Sequence, residues 1–134
     1  MNKNLVNVQL SVAIEEGRMI GYLQFTNSTS QKIYLDEQTI CFYKKTYGNI
    51  FLIKDEGGGL VGYAGAKVKR DINPDYFQSL NPGEQIKTSV ELSEVYEVKE
   101  GHKYTIQYCA NNPPYKNEQK SMEMQSNKVE IIYQ

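Results

Sequence analysis

Apolar and polar residues alternate along much of the chain. Val6, Val8, Leu10, Val12 and Ile14 are separated by Asn7, Gln9, Ser11 and Ala13. A period of two places each set on one face of an extended strand. After a turn at Glu15-Glu16-Gly17-Arg18, Met19, Gly21, Leu23 and Phe25 repeat the pattern. These two strands are expected to pair as a hairpin or to face each other across a sandwich. Ile33 and Leu35 mark a short third strand with Tyr34 on its opposite face. Residues 40–45 and 50–54 read as two further strands around a turn at Tyr47-Gly48-Asn49. The pattern is weakest over residues 61–80. There it supports short extended pieces at 63–68 and 76–80, with a loop through Asn73-Pro74. Ile86, Thr88, Val90 and Leu92 alternate again. His102, Tyr104, Ile106 and Tyr108 share one strand face, and Val129, Ile131 and Tyr133 mark the last strand.

Between these runs lie turn signals with a physical cause. In Asn81-Pro82-Gly83-Glu84, proline presets φ and glycine accepts the positive φ of a type II turn. Asn27-Ser28-Thr29-Ser30 is a polar loop, and Asp55-Glu56-Gly57-Gly58-Gly59 reads as a flexible excursion. Asn111-Asn112-Pro113-Pro114 is expected to break the strand before it. Ser93-Glu94-Val95-Tyr96 has the form of one helical turn capped by Ser93. Seven to nine short strands with no long helical period predict an all-β, immunoglobulin-like antiparallel β-sandwich, or a small barrel. The whole of 1–134 reads as one domain, without repeat or linker.

Composition narrows the function. Of 134 residues, 40% are hydrophobic and 23% charged, and the net charge is −1. That balance exerts no long-range pull on nucleic acid or an anionic membrane. No apolar run approaches the roughly 20 residues of a membrane-spanning helix. The opening residues show no basic and apolar leader, so a cytoplasmic location and reduced thiols at Cys41 and Cys109 are expected. There are eleven tyrosines and no tryptophan. Tyrosine suits strands and interfaces alike, having a large apolar ring and a polar tip.

Each candidate for chemistry meets a plainer reading. The one histidine, His102, is too few for a catalytic zinc site, and the cysteine spacing matches no zinc motif. Cys109 lies seven residues along the same strand from His102, roughly 23 Å at strand rise, too far to form a nucleophile–base pair. Both cysteines read as packed small hydrophobes. Gly57-Gly58-Gly59-Leu60-Val61-Gly62 lacks the Gly-Lys-Ser/Thr continuation of a phosphate loop, and a strand rather than a helix is expected after it. The acidic pairs Asp36-Glu37 and Asp55-Glu56 offer too few oxygens for calcium and read as solvated turn residues. Asn27-Ser28-Thr29 fits a glycosylation acceptor, which carries no meaning in a chain without a leader. Lys67, Lys69 and Arg70 form a basic cluster near Tyr63 and Tyr76. A solvated strand edge is its plain reading. A protein-docking patch is its sharp one, because tyrosine and arginine dominate interface hot spots.

A family resemblance adds to this. It is carried by Tyr63-Ala64-Gly65, Val68-Lys69-Arg70 and Tyr76-Phe77-Gln78-Ser79-Leu80-Asn81-Pro82-Gly83-Glu84. Val90-Glu91-Leu92-Ser93 with Tyr96, Gly101-His102-Lys103-Tyr104-Thr105-Ile106-Gln107-Tyr108 and Ser126-Asn127 follow in the same order. In that order the chain resembles the non-catalytic, propeptide-like N-terminal domain of deuterolysin-like, peptidyl-Lys-type zinc metalloendopeptidases. Its layout is also similar to the intracellular proteinase inhibitor family. The likeness covers nearly the whole chain and is most specific over 63–108. It implies a β-sandwich and a role in binding or inhibiting another protein. His-Glu-x-x-His is absent, so no zinc chemistry carries over.

The expected function is therefore non-catalytic. The chain is read as a protease-inhibitor-like or immunity-like protein that binds a partner protein, a protease or toxin, through Tyr63, Lys67, Lys69, Arg70 and Tyr76. It is read as needing no cofactor, metal or nucleic acid. The competing expectations are a structural or adaptor sandwich in a secretion or surface assembly, and a carbohydrate-binding module using Tyr34, Tyr43, Tyr47 or Tyr115 as an aromatic platform.

Overall fold

The structure is a computed structural model that describes residues 5–68 and 72–134. Among them are eight strands: β1 (Val6–Glu15), β2 (Arg18–Asn27), β3 (Ile33–Asp36), β4 (Phe51–Asp55), β5 (Phe77–Leu80), β6 (Gln85–Glu91), β7 (His102–Asn112) and β8 (Met122–Tyr133). One turn of helix, α1 (Leu92–Val95), joins β6 to β7. Six strands form one sheet in the order β4-β7-β8-β1-β2-β6, and β3 pairs with β5 in a second, small sheet. The fold is all-β and sandwich-like.

The alternating residues explain the packing. Val8 and Leu10 of β1, Leu23 and Phe25 of β2, Phe51 and Ile53 of β4, and Tyr104, Ile106 and Tyr108 of β7 are all buried on one face of the large sheet. Ile33, Leu35 and Leu80 of the small sheet, with Ile40 and Cys41 from the loop after β3, complete the same core. Phe25 and Phe51 each meet the Tyr108 ring edge-on, at 5.5 Å and 5.6 Å between centroids. Burying a side chain of this size contributes about 1.5–3 kcal/mol.

The hairpin alternative is the one adopted by β1 and β2, whose register runs from Val6↔Asn27 to Glu15↔Arg18. The two linking residues, Glu16 and Gly17, have φ of 51° and 78°. Positive φ at both positions is the twist-matched hairpin turn.

The large sheet is two antiparallel blocks, β6-β2-β1 and β4-β7-β8, joined between β1 and β8. That junction is parallel and has a single backbone bridge, Val8↔Ser126. Beside it the β7–β8 register slips: Gln107 faces Lys128 but Cys109 faces Gln125, leaving Ser126 and Asn127 opposite Tyr108 alone. The extra residue is a β-bulge, which re-aims side chains. Ser126 Oγ accepts from Tyr108 N at 2.9 Å. The Asn127 side chain turns to β1, where it accepts from Leu10 N at 2.7 Å and donates to Leu10 O at 3.0 Å.

Several local expectations are corrected. Residues 40–45 form turns, not a strand, with Cys41 and Lys44 at φ of 56° and 61°. Their alternation was shallow, and the loop is instead tied to Asp36 and Glu37 through Thr39 N→Asp36 O at 3.0 Å and Phe42 N→Glu37 O at 3.2 Å. Residues 63–68 form no strand; Tyr63 makes only an isolated bridge to Tyr96. The glycine-rich excursion is a closed turn, in which the Asp55 carboxylate accepts from Gly57 N at 3.0 Å and Gly59 N at 2.9 Å. Ser93 does not cap α1; its hydroxyl accepts from Met19 N at 3.0 Å and donates to Glu91 at 3.2 Å. β7 continues through Asn112, because the prolines act only after it. The turn at 81–84 has the expected form, with Glu84 N→Asn81 O at 2.9 Å and Gly83 at φ 81°.

Candidate functional site

Asp36 and Glu37 are buried rather than solvated, and they organise the loop that follows. Asp36 accepts from the Thr39 hydroxyl at 2.7 Å, and its backbone N–H donates to Asn112 Oδ1 at 2.8 Å. The Glu37 carboxylate accepts from Tyr43 Oη at 3.0 Å and from the Gln78 amide. A buried carboxylate needs such donors, since leaving it unpaired costs several kcal/mol. Glu37 N also donates to Tyr76 O at 2.9 Å, which ties the segment before β5 to the same loop. Thr39, Ile40, Cys41 and Thr46 are all buried, so the loop is anchored from below at both ends.

Above those anchors the loop presents Tyr43, 57% exposed, followed by the exposed Lys44 and Lys45. Lys44 holds its left-handed backbone with N→Cys41 O at 3.0 Å. Tyr76, 48% exposed, is tied to the same loop through the Glu37 N–H, and the charges of Glu37, Tyr47 and Tyr76 all act on the Tyr43 phenol. The hydrogen bond to Glu37 is the main cause that raises the Tyr43 pKa. Val68 N donates to Tyr47 O at 3.0 Å and brings exposed Lys67 alongside. A shallow cleft of about 580 Å³ opens there, lined among others by Tyr47, Asn49, Lys67, Cys109, Asn111 and Glu123.

The five residues singled out in the sequence are distributed as follows. Tyr76 and Lys67 border the Tyr43–Lys45 loop. Tyr63 is half-buried on the Tyr96 ring at 5.1 Å, and its hydroxyl shares a hydrogen bond with Thr46 at 2.9 Å and donates to Ala66 O. It thus braces the Lys67 segment against the loop. Lys69 and Arg70 lie outside the described residues. Lys44 and Lys45 were not among the sequence candidates because residues 40–45 read as a strand; the structure exposes both beside Tyr43.

The remaining candidates are accounted for locally. Cys41 is fully buried, and burial pushes its thiol up to about 12. The Cys109 thiol is also raised, mainly by burial and secondarily by Glu123. Both cysteines are free. His102 lies on the surface with Nδ1 2.8 Å from Glu56. Tyr34 and Tyr115 stack on one another at 3.9 Å, each covering one face of the other. Asn27 is buried, and its amide donates to Gln31 O at 2.7 Å and Leu80 O at 2.9 Å, so in the folded chain that nitrogen is occupied. Most buried tyrosines act as struts: Tyr96 Oη accepts from Phe51 N at 2.9 Å, and Tyr108 Oη donates to Thr39 O at 2.7 Å. Among the described residues no group of three or more His, Cys, Asp or Glu is placed to hold a metal ion, and no helix is long and apolar enough to cross a membrane. The chain matches no family model and no curated protein sequence.

Proposed function

We propose that the protein is a non-catalytic binding domain that docks on a partner protein and blocks it, in the manner of a protease inhibitor or an immunity protein. The docking face in this reading is the loop bearing Tyr43, Lys44 and Lys45, together with Lys67 and Tyr76. One observation carries it: a loop whose base is buried and hydrogen-bonded holds an exposed tyrosine and two lysines in a fixed, partly left-handed conformation. Backbone strain of this kind costs about 1–3 kcal/mol per residue and persists where the surroundings impose it. A preformed loop loses little conformational freedom on binding, which raises affinity without adding contacts. Tyrosine at its tip is a residue type enriched among binding hot spots. The resemblance to propeptide-like and proteinase-inhibitor domains read from the sequence motivates the same reading. Lys69 and Arg70 extend the basic run in sequence, and Tyr63 positions Lys67.

The test is capture and inhibition. The immobilised chain is expected to retain a protein partner and to inhibit a member of a panel of metallo- and serine proteases. The pair Lys44→Glu and Lys67→Glu should abolish this while the thermal melt stays unchanged; Tyr43→Ala should abolish it too, with a lowered melt because the buried Glu37 carboxylate loses a donor. Failure to retain any protein, with no protease inhibited, would overturn the reading.

A further inference from the structure

The sheet edges differ in how they are finished. The edge of β3 is closed by side-chain amides: Tyr34 N donates to Gln119 Oε1 at 2.9 Å, and Gln119 Nε2 donates to Tyr34 O at 2.7 Å. The edge of β4 is closed by the following segment, where Val61 N donates to Ile53 O at 2.9 Å. β6 is the other edge of the large sheet. It is paired along its whole length with β2, from Ile20↔Glu91 to Thr26↔Gln85, and with nothing on its far side among the described residues.

The direction of its backbone groups follows from the ladder. Asn27 N donates to Glu84 O at 3.1 Å, and antiparallel pairs alternate between bonded and non-bonded. Ile86, Thr88 and Val90 therefore turn their N–H and C=O toward β2. Lys87 and Ser89 turn theirs outward, and the Glu91 carbonyl is the first acceptor of α1. The opposite side of β2 agrees: Leu10, opposite Leu23, points its backbone away from β2 to Asn127. The outward groups of Lys87 and Ser89 have no hydrogen-bond partner among the described residues. Their side chains lie on the solvent face, opposite Gln24 and Tyr22 of β2.

We propose that β6 is a self-association edge, at which a second copy of this chain adds its own β6 antiparallel across a two-fold axis through Ser89. The register is set by charge. An axis at Ser89 places Lys87 of each copy directly opposite Glu91 of the other, and Thr88 opposite Val90 on the core side. Directly opposed unlike charges stabilise a strand pair and like charges destabilise it. A lone lysine on an edge normally discourages pairing. Here Glu91, further along the strand, supplies its mate. Glu91 is already near Arg18, at 3.9 Å, and Ser93. The Glu91 side chain is itself 27% exposed, so its carboxylate keeps a solvent-facing side for a second cation. The two large sheets would become one continuous sheet. This inference is independent of the docking reading, whose loop lies elsewhere.

Sedimentation of the full chain over rising concentration tests it. The expected result is a monomer–dimer equilibrium. Lys87→Glu alone and Glu91→Lys alone should each weaken the dimer about tenfold or more, because each sets like charges opposite one another. The double exchange should restore it. A second measurement uses disulfide trapping with Cys109→Ser as background. Residues on the two-fold axis lie about 5.5 Å apart between Cα atoms, within the range a disulfide spans. Ser89→Cys should cross-link into a dimer on mild oxidation, much faster than Gln9→Cys, which sits on the solvent face in the middle of the sheet. A strict monomer at every concentration, equal cross-linking at both positions, or no recovery in the double exchange would each overturn the proposal.

Discussion

Asn127 stands in for a strand residue against Leu10. Its Oδ1 accepts from the Leu10 N–H at 2.7 Å and its Nδ2 donates to the Leu10 carbonyl at 3.0 Å. With the single backbone bridge Val8↔Ser126, this amide clamp joins the two halves of the large sheet. Removing it leaves two main-chain groups of β1 without partners, and an unpaired, partly buried polar group costs about 1–3 kcal/mol. Asn127→Ala is expected to lower stability by about 2–3 kcal/mol in urea unfolding. Asn127→Asp keeps the acceptor, loses the donor, and sets a carboxylate against the Leu10 carbonyl. It should be no better than alanine at neutral pH. Unchanged midpoints for both would show that the seam is held by packing alone.

The two thiols should differ in reactivity. Only the thiolate is nucleophilic. Cys41 is fully buried with its pKa pushed up to about 12, so it stays protonated and inaccessible in the native protein. Cys109 lines the cleft by Lys67 and is raised by burial and by Glu123. Iodoacetamide near neutral pH is expected to modify Cys109 more slowly than free cysteine and to leave Cys41 intact, with both reacting in denaturant. Peptide mass mapping reads the outcome. Early labelling of Cys41 would mean that the loop over it opens readily.

Glu56 gives an acid-side signature. The Lys103 N–H, donating at 2.9 Å, and then His102, at 2.8 Å, hold its carboxyl below the usual glutamate range. A depressed folded-state pKa contributes stability that is present above the unfolded value, about 4.3, and is lost as pH falls through the lowered one. Glu56→Gln is expected to be less stable than the parent near pH 6, and the two should converge as acid protonates the parent. Urea midpoints across that range measure the difference. A constant gap at all pH values would show that the pair acts through packing.

Where side chains alternate strictly, the sequence was readable. β1, β2, β6 and β7 each bury one face through regular residues such as Val8, Leu23, Val90 and Ile106, and burial on one face imposes the period. The small sheet was legible only in its ends, since Ile33, Leu35 and Leu80 are few and their neighbours are polar. The loop after β3 was not legible. Its shape comes from Asp36 and Glu37 being buried among Thr39, Tyr43, Gln78 and Asn112, partners up to 76 residues away. A pair of acids in a turn gives no sign of this beforehand. The bulge at Ser126–Asn127 was hidden for the same reason, as its cause is a bond to β1. Lys67 and Tyr76, singled out from local composition, lie beside the loop proposed to dock. Lys44 and Lys45 were lost with the mistaken strand.

The parallel junction of β1 and β8 also constrains how the chain is made. Leu10 and Asn127 are 117 residues apart, and translation covers that distance in about ten seconds at roughly 5–20 residues per second. During that interval the first hairpin has its own pairing available, while the residues that close the other flank of β1 are not yet made. Contacts of such long separation are the slow ones to form. The inner half of the sheet therefore closes only after β8 has left the ribosome, and until then a nascent chain offers an unclosed β1 flank to any chaperone nearby.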